Sequence, residues 1–198
     1  MSKIAVIILA AGSASRMAKP KQILPIKNKS LLGLTIENAL KTEANDIFCV
    51  IGAHTEQVKK ITNLFPITII QNKNWEKGLS SSIKAGIAHI VLHKNNIDGV
   101  LIMLADQPLI DTSYLNAMIS SFKKQPYQIT ASQYNWGYGV PAIFPKSYFK
   151  QLLVLKDDKG AKNLLNNSAE EIIPINSPQK LIDIDTPEDY KKFISKLL

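Results

Sequence analysis

Three cations sit among small residues in the stretch "LAAGSASRMAKPKQ", Leu9 to Gln22, at the end of the apolar run Ile4–Leu9. Arg16 is the only arginine in the chain, and Lys19 and Lys21 follow it. A guanidinium offers a planar fork that grips phosphate oxygens through two parallel bonds, and an ammonium adds a compact charge. Ala10, Ala11 and Gly12 leave room for a flat ligand to lie against the backbone. Ser13 and Ser15 add hydroxyls. Pro20 disfavours helix at Lys19, which keeps the cation-bearing loop extended. The chemistry this suggests is the holding of a phosphorylated ligand. The alternative is an ordinary turn with incidental lysines.

Carboxylates and serines appear further along. Asp106 follows "VLIMLA" and precedes Gln107-Pro108. A carboxylate at a strand's carboxyl end faces the crevice where α/β sheets bind ligands. Magnesium held partly by phosphates takes only one or two protein carboxylates. Asp106 could equally cap a turn. "KGLSSSIKAGI" puts Gly78 and the serines 80 to 82 at a helix entrance, where unpaired amides suit phosphates or polar ligand edges. One serine is expected to serve as the helix N-cap. His89 and His93 fall one helical turn apart without an acidic third ligand, so no zinc site is expected. His54 reads as a loop residue.

The elements that must position these groups alternate. Apolar strands are expected at Ile4–Leu9, Ile47–Ile51, Ile67–Gln71 and Val100–Leu104. Helices are expected near Leu31–Lys41, Thr55–Asn63, Leu79–Leu92 and Thr112–Lys123. Short apolar strands without polar alternation are buried on both faces, as in a parallel sheet covered by helices. The rhythm changes after Gln125. "QITASQYNWGYGVPAIF" reads as an antiparallel pair around an Asn-Trp-Gly-Tyr-Gly turn. A helix from about Pro145 to Leu153, a short helix in "DDKGAKNLLNN", and late strands in "EEIIPI" and "KLIDI" follow. A closing helix starts at Thr186-Pro187, with Glu188 and Asp189 at its positive end. The fold class is a three-layer α/β/α sandwich with a mostly parallel, Rossmann-like sheet and a late antiparallel portion. The 198 residues are read as one domain, residues 1–198.

Composition narrows the partners. The chain is 45% hydrophobic, and no apolar run approaches the ~20 residues of a membrane span. Its net charge of +8 comes from scattered lysines without a basic arm or interleaved aromatics, so nucleic acid is not expected as a partner. Cys49 is the only cysteine and lies in an apolar stretch, which points to core packing and a reducing, cytoplasmic setting. The loop offers Gly12, Ala14 and Met17 where a dinucleotide fingerprint needs three glycines, and Met17 also occupies the second glycine position of a P-loop.

The stretch "LAAGSASRMAKPKQILP" resembles the signature of the MobA-like nucleotidyltransferases, most closely their molybdenum cofactor cytidylyltransferase branch. "NWEKGLSSSIKAGI", "LADQPLI", "GVPAIFP", "DDKGAKNLL" and "DIDTPEDY" continue the resemblance in order along the chain. Ala18 stands where the signature has glycine. The resemblance implies a Mg²⁺-dependent transfer of CMP from CTP to the phosphate of a molybdopterin-type acceptor, serving a molybdoenzyme of the xanthine dehydrogenase type. It implies nucleotide contacts from Leu9, Ala10, Ala11, Gly12, Ser13, Arg16, Lys21, Gly52, Gly78, Ser80, Ser81 and Ala105. Arg16, Lys21 and Asp106 are implied as catalytic. Asp106 and Asp185 are implied metal ligands, with Asp183 in reserve. Tyr138, Gly139, Pro141 and Lys162 are implied on the acceptor side, where Tyr138 or Trp136 would stack on a pterin-like ring. Ala11 fills space that guanylyl-transferring relatives leave open for a larger base, which favours CTP. The alternatives are transfer to a sugar phosphate or other phosphate acceptor, and a non-catalytic cofactor carrier.

Overall fold

A computed structural model describes residues 2–13, 17, 19–156, 158–167 and 172–197. The chain begins with β1 (Ile4–Ala10), the short ribbon β2 (Pro25–Ile26) and β3 (Lys29–Ser30), and α1 (Leu31–Leu40). Next come β4 (Asp46–Ile51), α2 (Thr55–Thr62), β5 (Thr68–Gln71), α3 (Leu79–His93), β6 (Gly99–Leu104) and α4 (Thr112–Lys124). The second half holds β7 (Ile129–Tyr134), β8 (Gly137–Pro145), α5 (Phe149–Leu153), α6 (Lys162–Asn167), β9 (Ile172–Asn176) and α7 (Pro187–Ser195).

The main sheet runs β5-β4-β1-β6-β8-β7-β9. β1 pairs in parallel with β4 and β6, and β4 with β5. β8 is antiparallel to β6 and β7, while β9 is parallel to β7. One strand therefore opposes all the rest of the sheet. Helices flank both faces, giving the expected mostly parallel architecture with a late antiparallel portion.

β1 explains why this sheet has two cores. All seven of its residues are buried, and successive side chains leave opposite faces. Ala5, Ile7 and Leu9 pack with Ile83, Ile87 and Ile90 of α3, beside Leu152 of α5 and Leu165 of α6. Ile4, Val6, Ile8 and Ala10 pack with Leu32 and Ile36 of α1, Val58 of α2, and Leu115, Met118 and Phe122 of α4. A third, smaller cluster joins Leu24, Ile26 and Leu31 to Ile184 and to Phe193 of α7. Cys49 is fully buried, and desolvation pushes its thiol up to about 12.

Three local expectations change. "KLIDI" is not a strand: Ile184 N donates to the carbonyl of Asp106 at 2.9 Å, past the end of β6, so the segment crosses the strand ends without joining the ladder. No serine caps α3; its N-cap is Gly78, and Ser81 Oγ donates back to the Gly78 carbonyl at 2.8 Å. The helix expected from Pro145 begins as a 3-10 turn, Lys146–Tyr148, before α5.

Candidate active site

The carboxyl ends of β1 and β6 open onto a cavity of about 580 Å³, a size typical of small-molecule sites. Its lining includes residues 9 to 13, Lys21, Gln22, Gly78, Ala105 and Asp106. The loop after β1 is shaped by side chains from elsewhere. Gln22 Nε2 donates to the carbonyls of Ala10 and Gly12, each at 3.0 Å. Ala53 N donates to the Ala11 carbonyl at 3.0 Å, and His54 Nε2 lies 3.1 Å from the Ser13 carbonyl. Gly52 supports the loop from beneath. A Cβ there would stand 2.5 Å from Trp75 Cβ and 2.9 Å from Ala11 Cβ, so only glycine permits this approach. Gly78 is required for a different reason: its φ is +83°, and a Cβ would stand 2.7 Å from that of Asp158.

Lys21 is the electrostatic centre of this cavity. Its Nζ donates to Asp106 Oδ2 at 2.9 Å and to Asp185 Oδ1 at 2.6 Å. Burial alone would lower the lysine's pKa, but the two carboxylates outweigh it and hold the ammonium above its ordinary value. Asp185 is set by the start of α7, where Thr186 and Asp189 form a reciprocal capping box. The Asp185 amide also donates to Asp189 Oδ2 at 3.2 Å.

The carboxylates fit a divalent cation. Asp106 Oδ1 is buried and has no hydrogen-bond partner among the described residues. Asp106 and Asp185 converge on the Lys21 ammonium, which brings the two carboxylates together while Asp106 Oδ1 stays uncommitted. Among the described residues no group of three or more His, Cys, Asp or Glu is placed to hold a metal. Two carboxylates suit a hard cation completed by phosphate oxygens and water.

Asp183 faces elsewhere. It lines a second cavity of about 270 Å³, which shares Leu9, Leu79 and Leu104 with the first. Asp183 Oδ1 accepts from Gln107 Nε2 at 2.8 Å, and the same nitrogen donates to Tyr134 Oη at 2.9 Å. Tyr134 Oη donates in turn to the Val140 carbonyl at 2.5 Å. Desolvation by surrounding groups, with repulsion from Asp106, raises the Asp183 carboxyl to about 6. Trp136 is half exposed and stacks on Tyr134 with ring centroids 4.7 Å apart. Lys162 Nζ sits 3.8 Å from the Trp136 ring centroid, a cation–π distance.

Most of the residues singled out in the sequence meet around these cavities, and some do not. Gly139 and Lys162 line the second cavity. Tyr138 and Pro141 do not: Tyr138 packs against the core while Asn166 clamps its backbone, and the Pro141 carbonyl accepts from Ser132. Ser82 lines the first cavity, whereas Ser80 and Ser81 are buried and bond protein groups. Gly52 lies behind the loop rather than on the cavity wall. Arg16 falls outside the described residues, as do Ser15 and Ala18. Gln22 and Gln107 were not anticipated, because nothing in their sequence neighbourhood marks a polar side chain as turned inward; Trp75 and Asp158, which also line the first cavity, were not singled out either.

Residues 6–172 match the family described as the MobA-like NTP transferase domain. The chain belongs to this family. It is 28% identical over 195 residues to the purine catabolism protein PucB of Bacillus subtilis, covering 93% of this chain and 92% of that protein. It is 26% identical over 190 residues to the molybdenum cofactor cytidylyltransferase of Escherichia coli, covering 96% and 95%. A crystal structure of the rv0371c homologue from Mycobacterium sp. strain JC1 superposes with a TM-score of 0.85 at 26% identity, covering 98% and 96%. Family and fold support nucleotidyl transfer. No helix among the described residues is long and apolar enough to cross a membrane.

Proposed function

We propose that this MobA-like domain transfers CMP from CTP to the terminal phosphate of a molybdopterin-type acceptor, releasing pyrophosphate. The observation that carries this reading is the pair of adjoining cavities that share Leu9, Leu79 and Leu104, the first holding Lys21 and Asp106 beside the small residues 10 to 13, the second holding Tyr134 and Trp136 beside Lys159, Lys162 and Asp183. The nucleotide occupies the first, with its base against the small residues Ala10, Ala11 and Gly12. The acceptor occupies the second. A relative named as a molybdenum cofactor cytidylyltransferase supports this choice of acceptor.

In the transfer, an oxygen of the acceptor phosphate forms a bond to the α-phosphorus of CTP. The bond from that phosphorus to the β-phosphate oxygen breaks, and pyrophosphate leaves with the electron pair. The barrier is dominated by charge on phosphate oxygens that must be aligned and neutralised. Lys21, held protonated by its carboxylate neighbours, supplies fixed positive charge where those oxygens converge. Arg16 grips the triphosphate. Asp106 and Asp185 would hold Mg²⁺, which neutralises and orients phosphate oxygens when bound. No protein nucleophile takes part.

Pyrophosphate release with Mg²⁺, measured with CTP, GTP, UTP and ATP and with or without molybdenum cofactor, tests this. Release is expected only with CTP and cofactor together. Release with a sugar phosphate instead would reassign the acceptor, and tight CTP binding without any release would make the protein a carrier.

A further inference from the structure

The structure assigns Asp183 as the residue that selects the acceptor, by accepting hydrogen bonds from the N–H donor edge of a flat heterocycle in the second cavity. This rests on reading that cavity as the acceptor site.

Among the carboxylates at the cleft, Asp106, Asp183 and Asp185 are separated by their partners. Asp106 and Asp185 share Lys21. Asp183 instead lines the neighbouring cavity and is oriented by the Gln107 amide, which is 1% exposed. The same amide holds Tyr134, and Tyr134 carries Trp136 by stacking. One buried side chain therefore fixes both the carboxylate and the aromatic platform relative to each other. This is the support a selective site requires, because recognition groups must be held by neighbours that cannot move.

The cavity is polar at two places of opposite sign. Lys159 and Lys162 line it at the start of α6, and Asp183 lines it from the segment before α7. Leu79, Ile83 and Leu165 contribute apolar lining. A ligand matching this surface is flat and mostly apolar in the middle, anionic toward the lysines and rich in N–H donors toward Asp183. A 2-amino-4-oxopyrimidine ring has such an edge, because its ring N–H and its exocyclic amine lie side by side. Both can donate to one carboxylate. Replacing the amine by a carbonyl puts an oxygen lone pair against the carboxylate, which a site built for donors rejects.

The test compares two fluorescent probes, pterin-6-carboxylate and lumazine-6-carboxylate, on the full chain and on Asp183→Asn. The lumazine differs by having a carbonyl at position 2 where the pterin has the amine. The wild-type protein is expected to bind the pterin at least tenfold more tightly, the scale of one charge-assisted hydrogen bond. In Asp183→Asn the side-chain carbonyl can still accept from Gln107 while the amide NH₂ faces the ligand, so the preference is expected to collapse or invert. A purely structural loss would weaken both probes alike and leave their ratio unchanged. Equal binding of the two probes by the wild type, or the same ratio in Asp183→Asn, would overturn the assignment. Glucose 1-phosphate binding as tightly as the pterin would do so as well, since hydroxyls exchange donor and acceptor roles freely. If cofactor-dependent pyrophosphate release fails while the probe preference depends on Asp183, the transfer reading falls and this one stands. If release succeeds and Asp183→Asn leaves the acceptor KM unchanged, the reverse holds.

Discussion

Lys21 neutralises two carboxylates that lie 85 and 164 residues away along the chain. Its ammonium links them, and Asp106 Oδ1 is left without a hydrogen-bond partner among the described residues. Asp106→Asn keeps the shape and removes the charge. We expect a rate loss of about a thousandfold, the scale of removing one transition-state partner, with an essentially unchanged circular dichroism spectrum. Near-normal turnover would remove Asp106 from the metal site. For Arg16→Lys the planar fork disappears while the charge remains. Triphosphate affinity, measured by calorimetry, should fall about tenfold or more; an unchanged value would mean that the lone arginine binds something else. Of these groups, Lys21, Asp106 and Asp185 were legible because their types and flanking residues mark them. Gln22 and Gln107 were not, since a neutral amide in a loop looks the same whether it faces solvent or braces a backbone. The serines after Gly78 misled for a related reason: their hydroxyls suit a phosphate, but Asn72 and nearby carbonyls take them.

At the scale of elements, β1 was readable from its composition alone. A run of branched apolar residues with no polar alternation has one stable place, the middle of a helix-covered sheet. "KLIDI" has similar composition and became a crossing segment, because strand formation needs a free ladder edge as well as propensity. That segment is fastened at its end by the α7 capping box, which also sets Asp185. Thr186→Ala removes one half of the box and should cost about 1 kcal/mol of stability in chemical denaturation. It should also weaken Mg²⁺ binding, measured separately by calorimetry in the presence of a non-hydrolysable CTP analogue. Lost stability with undiminished metal affinity would show that Asp185 is positioned by other contacts.

For the molecule as a whole, the +8 charge is spread over lysines with no nucleic-acid arm. Such a field concentrates small polyanions near the surface and is screened by salt over a Debye length of roughly 10 Å at 0.1 M. The association rate for CTP should therefore fall several-fold between about 0.02 and 0.2 M salt, while its dissociation rate changes less; stopped-flow binding separates the two. Overall architecture was legible because it depends on the order of apolar runs, which survives errors of a residue or two at each end. The position of the second cavity was not, because it depends on which strand reverses. β8 runs against its neighbours, so β7 and β8 join through a tight turn at the cleft end of the sheet, where a parallel pair would have needed a long crossover. That turn carries Trp136 and is a short exchangeable cassette. A library randomised at Asn135 and Trp136, keeping Gly137 for its φ of +125°, would vary the rim of the second cavity while the seven-strand ladder and the loop after β1 stay as they are. Directed evolution of new ligand preferences would begin at those two codons.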